Sequence, residues 1–215
     1  MAQGRAGRIE FGEAGAIGNR ELRSGHERVW PRTCTFAANF RESKAAILCR
    51  PLNSIMFAKD GILELHAALH ERLDLLLRHV ATVPDELNHK QISGFGHPSV
   101  WKQLMHILTC EEGWLHDLQN QPFAGWDEED CPTMAALLAA KDRIRESTRS
   151  YLGVLTEEQL NTTLTHRPVD WGGELRSPAF ILLHVITHAF HHKGQVVAML
   201  RILGYPAPDT DLQPV

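Results

Sequence analysis

The stretch His184-Val-Ile-Thr-His188-Ala-Phe-His191-His192-Lys-Gly-Gln195 places four of the chain's thirteen histidines within nine residues. Its flanks are strongly apolar, "FILL" before it and "VVAML" after it. Ser177-Pro178 supplies a capping hydroxyl followed by a proline that suits a first helical turn. Gly204 and Pro206 supply a stop. The segment therefore reads as one long helix over about 178–203, apolar enough to be largely buried. With about 100° of turn per residue, His188 lies about 40°, His192 about 80° and His191 about −20° from His184. All four share one side. His188 and His192 stand at i, i+4, the spacing by which one helix gives two imidazoles to one metal ion. His184 with His188 has the same spacing, and so does His66 with His70, so the spacing alone does not separate ligands from buried or surface histidines.

Working outward, Ile62, Leu65, Leu69, Leu73 and Leu76 form an apolar stripe on a helix over about 57–81, broken by Pro84. Ser99 caps a second helix to about Asn120, with Trp101, Leu104, Ile107, Leu108 and Leu115 inward. Pro122 and Gly125 follow it. Thr133 caps a third helix to about Leu152, and "TEEQL" at 156–160 reads as a short capped turn. The threonine-rich segment 161–177, with its paired glycines, reads as a short β-hairpin. The expectation is an all-α fold: a four-helix bundle with a hairpin before the last helix.

Residues 56–215 form this domain in the sequence reading. Residues 1–55 differ: nine basic and five acidic residues give a net +4, against −8 for the remainder, with six of the sixteen glycines and no helical or strand period. They read as a disordered extension or an over-long gene start, with Met56 the true beginning. The chain's net charge of −4 argues against a general nucleic-acid partner, and no apolar run is long enough for a membrane span. Cys34, Cys49, Cys110 and Cys131 lack C-x-x-C spacing, which points to a reducing, cytoplasmic setting.

A third imidazole is available at His106, in the middle of "WKQLMHILTCEEGWL" and apolar on both sides. "HVITHAFHHKGQVVAMLRILGYPAPDTDL" together with "HPSVWKQLMHILTCEEGWL" resembles the DinB/YfiT-like metalloenzyme superfamily over about residues 56–215. The resemblance implies a bundle holding a divalent ion through His106, His188 and His192. Three imidazoles with open positions suit a catalytic rather than a closed structural zinc site, and imidazole equally suits nickel, copper or iron. It also implies thiol-dependent transferase or isomerase chemistry with a low-molecular-weight thiol and a small-molecule substrate, in a cavity between the helices. A metal-dependent hydrolase and a non-catalytic, stress-associated metal-binding bundle are the alternatives, and a homodimer is expected from bundles of this kind.

The neighbours carry weaker expectations. Cys110, at i+4 from His106, reads as a small buried hydrophobe or a thiolate approaching the ion. His184, His191 and Gln195 read as neighbours that orient the ligands, with helix-end packing the alternative for Gln195. Gly194 suggests close approach of a neighbouring backbone. Glu111 and Glu112 lie about 140° and 240° around the helix from His106 and read as packing or surface charges. His66 and His70 flank the first apolar stripe, on a helix where the family places no ligand. Trp101, Trp114 and Trp126 read as core or cavity wall, and Asp209 and Asp211 as anchors of the tail.

Overall fold

The computed structural model describes residues 57–163 and 176–212. Four long helices dominate them: α1 (Lys59–Val80), α3 (Val100–Leu118), α4 (Met134–Val154) and α6 (Pro178–Ile202). Two short ones, α2 (Asp85–Asn88) and α5 (Glu157–Asn161), sit in the connections. No strand occurs among the described residues. The hairpin expected over 161–177 falls mostly on 164–175, outside the described residues.

The helix starts follow the sequence rules. The side chains of Ser99, Thr133 and Ser177 each accept from the backbone N–H three residues on, at Lys102, Ala136 and Phe180. Thr156 and Gln159 close a reciprocal capping box on α5. The end of α6 is equally specific. Gly204, at φ 87°, lets its own N–H reach the Arg201 carbonyl and the Tyr205 N–H reach the Leu200 carbonyl. That double bond needs a left-handed residue, which glycine adopts without a Cβ clash.

Packing sets the order around the bundle. α3 makes its most extensive contact with α6; α6 also packs on α1, and α4 packs on both α3 and α1. The helices therefore run α1–α6–α3–α4 around the core, with α1 and α3 across a diagonal. The core is continuous, with Leu69, Leu73, Leu76, Trp101, Leu104, Leu137, Leu152, Val196 and Met199 inaccessible or nearly so. Asn161 ties α5 to the start of α1, accepting from the Phe57 N–H at 2.6 Å and donating to its carbonyl at 3.0 Å. The tail returns over the bundle: His79 on α1 meets the Tyr205 carbonyl at 3.1 Å. Buried Lys193 donates to the carbonyl and hydroxyl of Thr210, with Asp211 3.9 Å away. The Asp209 carboxylate accepts from the Asp211 N–H at 2.9 Å. The two tail aspartates thus do anchor by turn formation and pairing.

Two local expectations are corrected. Leu65 is 38 % exposed, while His66 and His70 are buried on the inward face of α1. The inward positions run Ile62, His66, Leu69 or His70, Leu73, Leu76 and Val80. Counting only apolar side chains put Leu65 where a histidine stands. Gly194 is exposed, and a Cβ built on it would meet nothing within 4 Å among the described residues. No close backbone approach explains this glycine. Its replacement removes the entropic cost of glycine in a helix interior at no steric expense. Gly194→Ala is therefore expected to raise stability by about 0.5–1 kcal/mol, read from the midpoint of urea unfolding.

Candidate metal centre

His106 projects from the middle of α3 into the α3–α6 interface, where His188 and His192 project from successive turns of α6. The Nε2 atom of His188 lies 3.3 Å from that of His106 and 3.1 Å from that of His192. Ligand atoms of all three lie within 4.8 Å of one another. Metal–nitrogen bonds of about 2.0–2.1 Å at tetrahedral angles would set nitrogens roughly 3.3 Å apart, so the spacing fits one first-row divalent ion. His192 is buried, whereas His106 and His188 are half-buried and mark the open side of the centre.

One side chain sets the direction of the hydrogen bonds here. Gln103, fully buried one turn before His106, donates its amide nitrogen to the His97 carbonyl at 2.9 Å. A carbonyl only accepts, so the amide oxygen must face the other way, toward His192 Nδ1 at 2.6 Å. His192 therefore carries its proton on Nδ1 and keeps the Nε2 lone pair aimed into the cluster, the arrangement a metal-binding imidazole needs. The Gln103 amide also donates to the Gln195 carbonyl oxygen at 2.7 Å, and the Gln195 amide meets His191 Nε2 at 2.8 Å. Gln195 and His191 thus connect to His192 through Gln103. The donor set and the fixed tautomer fit a divalent metal ion.

The other neighbours sort themselves by contact. The His97 ring stacks on His106 with centroids 3.9 Å apart and meets His192 edge-on at 5.7 Å. His184 lies beside His188 at 5.5 Å and edge-on to Trp114 at 5.7 Å. Cys110 is buried, and its sulfur is not among the atoms that converge with the three histidines. His97 and Gln103 were not singled out in the sequence. Gln103 carried a signal, a buried-side amide at i−3 from His106 on an apolar helix. His97, in the connection before Ser99, carried none that periodicity can read.

Burial first, and then the proximity of neighbouring imidazoles, depresses these histidines: His106 to about 2, His192 to about 3 and His188 to about 4. Burial also lowers His97 and His184. All three converging rings are neutral at physiological pH, the form that coordinates metal.

The acidic pair of α3 takes the packing alternative and not that of surface charges. Neither carboxylate faces the three histidines, but both are buried, Glu111 at 2 % exposure. Glu112 takes the Trp126 indole N–H at 2.7 Å and pairs with Arg143. Glu111 lies 2.7 Å from His66 Nε2 and takes the Thr148 hydroxyl at 2.9 Å. His70 Nε2 stands 3.3 and 3.1 Å from its two oxygens. Burial pushes the Glu111 carboxyl up, but the hydrogen bonds and charges of His66 and His70 outweigh this and hold it well below the carboxylate range. A cavity between the helices at the centre was expected. Two described cavities, of about 490 and 400 Å³, open between α3 and α4, sharing Glu112, His116 and Arg143. Neither of these two is lined by any of the three histidines.

The DinB family model matches residues 56–214. The chain belongs to the DinB family. The protein DinB of Bacillus subtilis (strain 168) is 28 % identical over 140 residues, 60 % of this chain and 78 % of that protein. Two solved structures share the fold. A DinB-like protein from Bacillus cereus ATCC 10987 superposes with a TM-score of 0.50 at 19 % identity, over 70 % of this chain and 95 % of its own. A protein assigned to the DinB family from Exiguobacterium sibiricum 255-15 superposes with a TM-score of 0.51 at 18 % identity, over 73 % of this chain and 100 % of its own. No helix among the described residues of this DinB-family chain is long and apolar enough to cross a membrane.

Two outcomes follow from the centre's hydrogen bonds and its electrostatics. Gln103→Leu removes the acceptor for His192 Nδ1 and frees the ring to reorient. Zinc affinity, measured by competition with a chromophoric chelator, is expected to fall about 10–100-fold with the fold retained. In chelator-treated protein, the unfolded chain takes up protons as pH falls through about 6.5, while His106, His188 and His192 in the folded chain do not. Stability held above that pH is lost as pH falls below it. Melting temperature should drop from pH 7 to pH 5, and the drop should shrink in His188→Ala.

Proposed function

We propose that this DinB-family chain is a metalloprotein in which His106, His188 and His192 hold one divalent transition-metal ion for thiol-dependent group transfer. The convergence of three neutral Nε2 atoms, one with its lone pair fixed by Gln103, carries the reading. When bound, the ion would act as a Lewis acid that lowers the pKa of a low-molecular-weight thiol beside an electrophilic small molecule. The chain's own part is positioning. Gln103 holds His192, Gln195 and the backbone of His97 in register, while His97 stacks on the His106 ring and His184 stands beside His188, walling the cluster with imidazole.

Hydrolysis needs a base at the open position. The nearest carboxylates on α3 are engaged elsewhere, Glu111 by His66, His70 and Thr148, and Glu112 by Trp126 and Arg143. The hydrolase reading is thereby left without a carboxylate base from α3, with the imidazoles of His97 and His184 beside the centre. The continuous apolar core favours a fold that survives loss of the ion, which speaks against a purely structural role.

Elemental analysis of the full chain beside a His188→Ala/His192→Ala variant tests the site. The variant is expected to lose one transition-metal ion per chain. Conjugation of glutathione or cysteine to monobromobimane is expected to accelerate with the wild type and to return to background in the variant. Loss of the ion without any thiol acceleration in the wild type leaves the non-catalytic metal-binding bundle as the function. Equal, negligible metal in both proteins overturns the metal reading.

A further inference from the structure

The cluster of His66, His70 and Glu111 is built differently from an ordinary core polar contact. All three side chains are buried, at 3 %, 0 % and 2 % exposure, and Thr148 beside them is at 0 %. They join α1 to α3 across the bundle diagonal, with α4 contributing the threonine. His66 and His70 stand at i, i+4 on α1, the spacing of His188 and His192 on α6. Glu111 lies five residues after His106 on α3, about 7.5 Å further along the axis.

A buried carboxylate needs a compensating positive charge. Among the described residues, the ion-pair partners of Glu111 are His66 and His70, and no lysine or arginine pairs with it. His66 sits at a hydrogen-bonding 2.7 Å. His70 is held more loosely: its Nε2 stands 3.1 and 3.3 Å from the two oxygens, longer than the roughly 2.7–2.9 Å of a strong charge-assisted bond. Its Nδ1 is buried with no hydrogen-bond partner, so the ring's polar contact falls to Nε2. Separations near 3 Å between nitrogen and carboxylate oxygen are those of neighbouring ligands around one cation at about 2.0–2.2 Å. Two imidazoles and one carboxylate on one side of an ion are an established donor set for divalent transition metals. The three ligand atoms of the cluster, one from each residue, also lie within 4.8 Å of one another.

We propose that His66, His70 and Glu111 form a second binding site for a divalent transition-metal ion, separate from the three-histidine centre. The ion neutralises the Glu111 carboxylate, bonds the His70 nitrogen and clamps α1 to α3 across the diagonal, with Thr148 orienting the carboxylate. Its burial makes exchange depend on opening of the bundle, so this ion leaves more slowly than one at the half-buried His106 and His188.

Cobalt(II) is the probe. Full-length protein is stripped with chelator under mild denaturation, refolded with excess cobalt(II), desalted, and its cobalt counted and followed by visible absorption. Two ions per chain are expected in the wild type, one in Glu111→Gln and one in His188→Ala/His192→Ala. Chelator is expected to remove the wild-type ions in two phases, the slower absent from Glu111→Gln. A single wild-type ion that persists in His188→Ala/His192→Ala and disappears in Glu111→Gln also supports the second site, while removing the metal from the proposed function. A single ion lost in His188→Ala/His192→Ala, or no ion at all, overturns the second site. If Glu111→Gln fails to fold by circular dichroism, the cobalt count of wild type against His188→Ala/His192→Ala still decides: an ion retained in the latter supports the site, and none overturns it.

Discussion

A buried polar side chain on an apolar helix gains most by meeting a partner on a helix packed against it, and four large polar side chains of α3 do so. Gln103, His106, Glu111 and Glu112 all point away from bulk water to some degree, and leaving any of them unpaired would cost on the order of 1–3 kcal/mol or more. Their partners lie on three other helices and two connections. Gln103 and His106 look to α6, Glu111 to α1 and α4, and Glu112 to α4 and to Trp126 in the α3–α4 connection. The register of every long helix against α3 is thereby specified by polar pairing, while the apolar core supplies the bulk of the burial.

This arrangement separates chemistry from support. The α3–α6 seam collects neutral imidazoles with one open side. The bundle diagonal collects a carboxylate and two imidazoles with no open side. Gln103 is the link between ligand geometry and fold, because its amide is oriented by a backbone carbonyl that nothing but a donor can satisfy. Such a side chain holds an imidazole lone pair in place without itself touching an ion, and precise holding of ligands distinguishes a metal centre from a crowd of histidines.

The contrast between the two acidic residues of α3 and their appearance in the sequence is instructive. Their angular distance from His106 correctly placed them away from the three-histidine cluster. It said nothing about exposure, because in a four-helix bundle a central helix has more than one buried face. Leu65 and His66 show the same effect on α1: the helical period was right, but the inward positions include histidines that an apolar count skips. Gly194 shows the converse, a residue whose oddity in sequence has no counterpart in packing.

What the sequence by itself determined is local or strongly patterned. The caps at Ser99, Thr133, Thr156 and Ser177, the glycine stop at Gly204 and the four amphipathic or apolar helices depend on backbone groups within a few residues, so they can be read without knowing the fold. The i, i+4 pair of His188 and His192 is likewise a property of one helix, and the motif around it marks the family. The family motif also named His106 as the third histidine; only the tertiary structure decided that Gln103 rather than a carboxylate orients His192, that His97 stacks on His106, and that Glu111 pairs across the diagonal with His66 and His70. Those relations depend on the register and rotation of one helix against another. That register is set by the packing of the whole core and leaves no periodic trace in any single segment.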